Sequence, residues 1–262
     1  MIRDLLDFAG RTAIVTGGGT GIGYATALQF ARLGANVVVA ARTVDELEAA
    51  ATRIEADSGS RCLAVPTDVK DEEAVVRMVE RTVAEFGRVD VLVNNAGGTR
   101  LGTLETMPTR AWDSIFDLNT RAPFLCTREA GRHMIAQKRG AIVNISSNAG
   151  LTGIKGGAHY SAAKSALQMF TTVSAAEWGR YGIRVNCVAA GPIESPRAVE
   201  AWTRNGRDPA EMGRMMPLRR TGTPDEMANM IVFLASDAAS YVTGQTIAVN
   251  GGPVLGGIPA TD

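Results

Sequence analysis

Tyr160 and Lys164 stand four residues apart in "YSAAK", within a run otherwise made of Ala, Leu, Met and Phe. In a helix this spacing puts both side chains on one face, one turn apart. The ammonium can then sit under the ring hydroxyl. A free tyrosine has a pKa of about 10, so acid–base work near neutrality requires a depression of roughly three units, or about 4 kcal/mol. A nearby cation typically supplies about one to three units, which makes Lys164 the main candidate perturber. The chemistry implied is proton exchange with a substrate oxygen. Thirteen residues earlier, "AIVNISS" ends in Ser146 and Ser147. A serine hydroxyl there could donate to the same oxygen, and period-two alternation aims only one of the pair at a cleft. Asn119, in "FDLNTRAPF", interrupts a helical pattern with a poor helix former.

These residues need elements to hold them. The β-branched runs "TAIVTG", "NVVVAA", "RCLAVP", "VDVLVNN", "AIVNISS", "IRVNCVA" and "QTIAVNG" alternate with helical patterns ending near 33, 56, 86, 137, 179 and 235. Continuously apolar strands separated by helix-length segments indicate parallel pairing with helices on both faces. The fold class is therefore α/β: a single-domain, doubly wound parallel sheet, Rossmann-like, over residues 1–262. No internal repeat or low-complexity linker divides the chain. The stretch 194–222, rich in Arg and Met, reads as irregular and as a substrate lid.

"TGGGTGIG" follows the first strand and opens a helix. It departs from G-x-G-x-x-G, reading Gly17-x-x-x-Gly21-x-Gly23. Gly17, Gly19, Thr20, Gly21, Ile22 and Gly23 nevertheless suit a backbone that approaches a pyrophosphate at a helix N-terminus. The second strand closes at Ala41-Arg42, where an NAD site usually carries an acid. Arg42 can pair with a 2′-phosphate, so NADP(H) is the preferred cofactor. Asp45 or Glu46 could still reach a ribose, leaving NAD(H) open. Asp68 and Val69 after the third strand fit an adenine contact, and Asp68 fits equally as turn chemistry.

Basic and acidic side chains number 27 each, and the hydrophobic fraction is 45%. Such a balance describes a soluble globular protein with no electrostatic commitment to nucleic acid or an anionic membrane. No apolar run reaches the roughly 18 residues a membrane span needs. "MIRDLLDFAGR" is too short and too charged for a signal peptide. Cys62, Cys126 and Cys187 are widely spaced and read as reduced thiols in a cytoplasmic protein. With only His133 and His159 beside them, no metal site is expected.

Over about residues 8–252 the chain resembles the short-chain dehydrogenase/reductase family. The resemblance rests on "TGGGTGIG", "NNAG" at 94–97, Asn119, "NISSNAG", "YSAAK" and "GPIES", in that order and strand context. It implies that Ser147, rather than Ser146, polarises the substrate, and that Tyr160 and Lys164 form the catalytic pair. It implies that Asn119 holds a water in a proton relay. It also implies that Asn95 and Gly97 line the cofactor and that the Ile193 backbone meets the nicotinamide carboxamide. Where the family usually has Pro-Gly after the sixth strand, this chain has Ala190-Gly191.

The activity implied is hydride transfer between NADP(H) and a carbonyl or secondary alcohol, with a 3-oxoacyl thioester among the candidate substrates. Two alternatives are carried: a dienoyl- or enoyl-thioester C=C reductase, against which Tyr160 argues, and a non-catalytic nucleotide-binding scaffold or sensor. The resemblance further implies a homotetramer burying the helices near 111–137 and 160–179 and the "NGGPVLGG" tail. On the second of these helices Ala163, Ala166, Leu167, Phe170 and Val173 form an apolar stripe suited to core or interface.

Overall fold

A computed structural model describes residues 2–204 and 206–253. Val254–Gly257 of the "NGGPVLGG" tail therefore lie outside the described residues. Seven strands, β1 (Thr12–Thr16), β2 (Asn36–Ala41), β3 (Cys62–Pro66), β4 (Val91–Asn94), β5 (Gly140–Ser147), β6 (Ile183–Ala190) and β7 (Thr246–Val249), form one sheet. Their order is β3-β2-β1-β4-β5-β6-β7 and every pairing is parallel. The order reverses between β1 and β4. Open α/β sheets place ligands at such a crevice, beyond the carboxyl ends of the strands.

The helices are α1 (Ile2–Leu5), α2 (Gly21–Arg32), α3 (Val44–Ser58), α4 (Glu72–Phe86), α5 (Thr109–Phe116), α6 (Ala122–Gln137), α7 (Ala149–Thr152), α8 (Ala158–Trp178), α9 (Pro196–Arg204), α10 (Pro209–Arg214) and α11 (Pro224–Ala235). Alternation along each strand divides the apolar residues between two cores. Ala13, Val15, Val37, Val39, Val91 and Val93 pack with Phe30 of α2, Leu47 and Ile54 of α3, and Ile231 of α11. Ile14, Val38, Leu92 and Ile142 face the other way, onto Met78 of α4 and Leu125 and Met134 of α6. The central strands β1, β2 and β4 are thus buried on both sides, which is why their sequences are mainly apolar.

The segment 194–222 departs from its irregular expectation, because it contains α9 and α10. Pro196 and Pro209 each open a helix, where a missing N–H costs nothing, and the Asp208 carboxylate accepts the Ala210 N–H at 3.0 Å. At the base of the segment, Ile193 and Gly222 form a parallel bridge.

Candidate active site

β5 carries Ser146 and Ser147 to the carboxyl edge of the sheet, and α8 packs its first turns against them. Ser146 is buried; its hydroxyl donates to the Lys164 carbonyl at 3.0 Å and accepts from the Gln168 side chain at 3.0 Å. Its bonding capacity is spent in joining strand to helix. The Ser147 oxygen accepts the Ala149 N–H at 3.1 Å and keeps its own proton to donate. That hydroxyl meets the Tyr160 hydroxyl.

Lys164 is buried. Its Nζ donates to the Ile145 carbonyl at 2.7 Å and lies 5.8 Å from the centre of the Tyr160 ring. A Cβ at Gly97 would come within 3.2 Å of this Nζ and 3.0 Å of the Asn119 Oδ1. Gly97 is therefore a spacer between the β4 loop, the lysine and the asparagine, where a side chain would press on both neighbours.

Asn119 lies in a π turn, Asp117–Arg121, that joins α5 to α6. Such turns recur at functional sites. The side chain is fully buried: Nδ2 donates to the Gly98 and Ile115 carbonyls, both at 2.9 Å, and Oδ1 accepts the Gly98 N–H at 3.2 Å. Both amide protons are committed. Within the described residues, the Asn119 side chain works by clasping the β4 loop to the helix beside Lys164.

The titration of the pair departs from the expectation that Lys164 depresses Tyr160. Burial pushes the Tyr160 hydroxyl up, and the Ser147 hydrogen bond offsets this only in part. Burial likewise pushes the Lys164 ammonium down to about 8, with a smaller opposing pull from the Cys187 thiol. In this dry setting desolvation dominates both groups.

On the far side of the crevice, the glycine loop is pinned by the β4 end. The Asn95 side chain donates to the Thr16 carbonyl at 2.9 Å and the Gly17 carbonyl at 3.2 Å. The Thr16 hydroxyl accepts the N–H groups of Asn95 and Ala96, both at 3.0 Å. Gly17 and Gly21 adopt positive φ, 66° and 56°. A Cβ at Gly23 would lie 2.1 Å from the Gly17 carbonyl oxygen, so only glycine lets the loop close on the helix. Thr20 gives α2 no side-chain cap, which leaves the first-turn N–H donors at Gly21, Ile22 and Gly23 without one. A close glycine turn and an uncapped helix N-terminus fit a dinucleotide pyrophosphate.

Arg42 is exposed, and within the described residues no hydrogen bond or ion pair engages its side chain. Asp68 is half-buried and accepts the Lys70 N–H at 3.0 Å, a local turn bond. Val69 points into the core and is 6% exposed. Ile193 is also buried, while its N–H makes no bond within the described residues.

Comparison with known proteins places this geometry. A family profile described as enoyl-(acyl carrier protein) reductase matches residues 17–253. The chain is 40% identical over 245 residues to the (2S)-[(R)-hydroxy(phenyl)methyl]succinyl-CoA dehydrogenase subunit BbsD of Thauera aromatica, covering 94% of this chain and 97% of that protein. It is 41% identical over 247 residues to a 3-oxoacyl-[acyl-carrier-protein] reductase of Synechocystis sp., again covering 94% and 97%. A short-chain type dehydrogenase/reductase from Mycobacterium marinum superposes with a TM-score of 0.90 at 34% identity, covering 96% of this chain and 98% of that one. The chain belongs to the short-chain dehydrogenase/reductase family.

For this short-chain dehydrogenase/reductase, sequence reasoning passed over two anchoring residues. Thr16 holds the β4 loop, and its signal was a hydroxyl at the last position of β1, after the apolar run Ala13–Val15. Gln168 also donates to the Ser147 carbonyl at 3.3 Å. It continues the four-residue spacing of Tyr160 and Lys164, which was the available sign. The insert's arginines are mostly occupied: Arg197 pairs with Glu46, Arg204 with Glu200, Arg214 with Glu211 and Arg220 with Glu226. Among the described residues no group of three or more His, Cys, Asp and Glu could hold a metal, and no helix is long and apolar enough to cross a membrane.

Proposed function

We propose that this oxidoreductase is an NADP(H)-preferring carbonyl reductase or secondary-alcohol dehydrogenase acting on a 3-oxoacyl or 3-hydroxyacyl thioester. The observation that carries the reading is the meeting of the Ser147 and Tyr160 hydroxyls at the carboxyl edge of β5, with the Lys164 ammonium below the ring. Two hydroxyls converging at one point suit a substrate oxygen and supply its proton. The names of both quoted relatives point to oxidation or reduction next to an acyl thioester.

The glycine loop and the Ile193 N–H would hold the dinucleotide, Arg42 its 2′-phosphate, and Tyr160 and Lys164 its nicotinamide ribose. When bound, the dinucleotide supplies a hydride to the carbonyl carbon or removes one from the alcohol. Ser147 donates to the substrate oxygen throughout and orients it. In reduction Tyr160 gives its proton to that oxygen; in oxidation the tyrosinate takes the proton back. Lys164 exchanges protons with Tyr160, and Asn119, in the π turn, keeps the β4 loop at the hydrogen-bonding distance this requires.

Residues 194–222 serve as the substrate lid. Trp202, Met212 and Met216 are half-buried, and Met215 and Leu218 are exposed, together forming adaptable apolar surface. Phe124 on α6 and Met169 and Val173 on α8 are exposed beside the Phe124–Phe170 ring pair. This apolar strip supports a homotetramer. The Cys126 and Cys187 thiols are buried and pushed up to about 12 and 11, as suits a cytoplasmic protein whose cysteines stay reduced.

The test is oxidation of NADPH and NADH against ketones, β-ketoacyl thioesters and dienoyl thioesters. Turnover of a β-ketoacyl thioester with NADPH that vanishes in Tyr160→Phe is the expected result. Turnover of the dienoyl thioester alone would instead establish C=C reduction. Dinucleotide binding with no turnover across the panel would establish a binding protein.

A further inference from the structure

Glu46, in the first turn of α3, lies against the glycine loop: a Cβ at Gly19 would come within 2.9 Å of its Oε1. The same oxygen accepts from Arg197 at 2.9 Å, across 151 residues of sequence. Arg197 belongs to α9, in the segment read above as the lid. Two residues before it, Ser195 covers the loop at Gly21, with its Cβ 2.9 Å from where a Cβ would stand there. The lid thus reaches the phosphate loop directly at Gly21 and, through Glu46, at Gly19. The second of these is a charge pair four residues along the chain from Arg42, whose guanidinium has no bond within the described residues.

We propose that Arg197 determines specificity for the adenosine 2′ substituent of the cofactor, and that it does so by masking Glu46. A carboxylate at the rim of this loop accepts from a ribose 2′-hydroxyl and repels a 2′-phosphate. With Arg197 seated on it, the Glu46 charge is cancelled, and the rim presents Arg42 unopposed. With Arg197 withdrawn, Glu46 is bare and opposes Arg42. Cofactor choice is then set partly by the lid, so lid posture and dinucleotide identity are linked. The inference rests on the glycine loop being a dinucleotide site and adds to it a residue from the opposite side of the cleft.

The experiment is calorimetric titration of the full-length wild type, Arg197→Met, Glu46→Gln and the double variant with NADPH and with NADH, without substrate. Thermal melts of each variant check that it folds. Arg197→Met should weaken NADPH about five- to tenfold, the range of one partly exposed charge contact, and leave NADH within about twofold. Glu46→Gln should shift the NADPH-to-NADH affinity ratio toward NADPH. The double variant should match Glu46→Gln, because Arg197 then has nothing to mask.

Equal weakening of both dinucleotides by Arg197→Met, or full persistence of the Arg197→Met loss in the double variant, overturns the proposal. The ratio is informative whichever dinucleotide the wild type prefers, so the proposal stands or falls apart from the Arg42 reading. Binding of neither dinucleotide by the wild type overturns the site itself.

Discussion

The two walls of the cleft are held by different means. On the β5–α8 wall and the π turn beside it, Ser146, Lys164, Gln168 and Asn119 are each fixed by hydrogen bonds to backbone groups, and three of the four side chains are buried. On the insert wall, Arg197–Glu46, Arg204–Glu200 and Arg214–Glu211 are ion pairs whose arginine side chains are more than 60% exposed. Exposed pairs of this kind contribute about 0–1 kcal/mol each, whereas leaving a buried polar group unpaired costs about 1–3 kcal/mol. The candidate catalytic residues therefore sit in a rigid frame, and the insert proposed as the lid sits in a compliant one. Substrate choice can shift in such a molecule without disturbing proton transfer.

The contrast can be broken most decisively at Tyr160. Tyr160→Phe should lower kcat by about 10³-fold, within the usual 10²–10⁴ of acid–base groups, with dinucleotide affinity by titration within about twofold. Ser147→Ala should cost about 10²-fold in kcat, the size expected for loss of one donor to a developing oxyanion, with little change in melting temperature.

Lys164 sharpens the comparison through pH. Its folded pKa of about 8 lies below the unfolded value near 10.5. Between the two the unfolded chain binds more protons, so stability rises with pH across that window. Urea unfolding at pH 7 and pH 10 should show wild type gaining up to about 3 kcal/mol relative to Lys164→Met. The reductive kcat/KM should fall above pH 8, and the variant should lose that break along with most of its activity.

Gln168→Ala should lower kcat about fivefold while KM holds, the mark of a residue that positions the end of β5 without touching substrate. Trp202→Ala, on the compliant wall, should do the opposite, raising KM about threefold with kcat within twofold. A large kcat loss there would show that the insert takes part in the chemistry.

The strands were legible because burial of the central ones on both faces makes them mainly apolar, and the order of motifs then located Ser147, Tyr160 and Lys164 on β5 and α8. The two insert helices carried readable signals, Ser195-Pro196 and Asp208-Pro209, that were outweighed by the Arg- and Met-rich composition. The direction of the Tyr160 shift was not legible, because it depends on how much water the fold removes from the ring, and spacing reports only the lysine. Arg197 and Glu46 could not be joined from one sequence, since no local pattern spans the distance between them. The π turn was visible only as an oddly placed Asn119, because helical periodicity does not register a single widened turn.

That widened turn also sets a phase. A π turn holds about one residue more than an α turn, so everything after it is rotated by roughly 100° relative to an uninterrupted helix. Deleting one residue from Asp117–Arg121 would swing Leu125, Cys126, Ala130 and Met134 of α6 off the sheet and carry the exposed ring of Phe124 to another side of the molecule. The clasp beside Lys164 and the outward aim of Phe124 are thus settled by the same turn. A single-residue deletion there would be read simultaneously as lost turnover and as a relocated exposed ring.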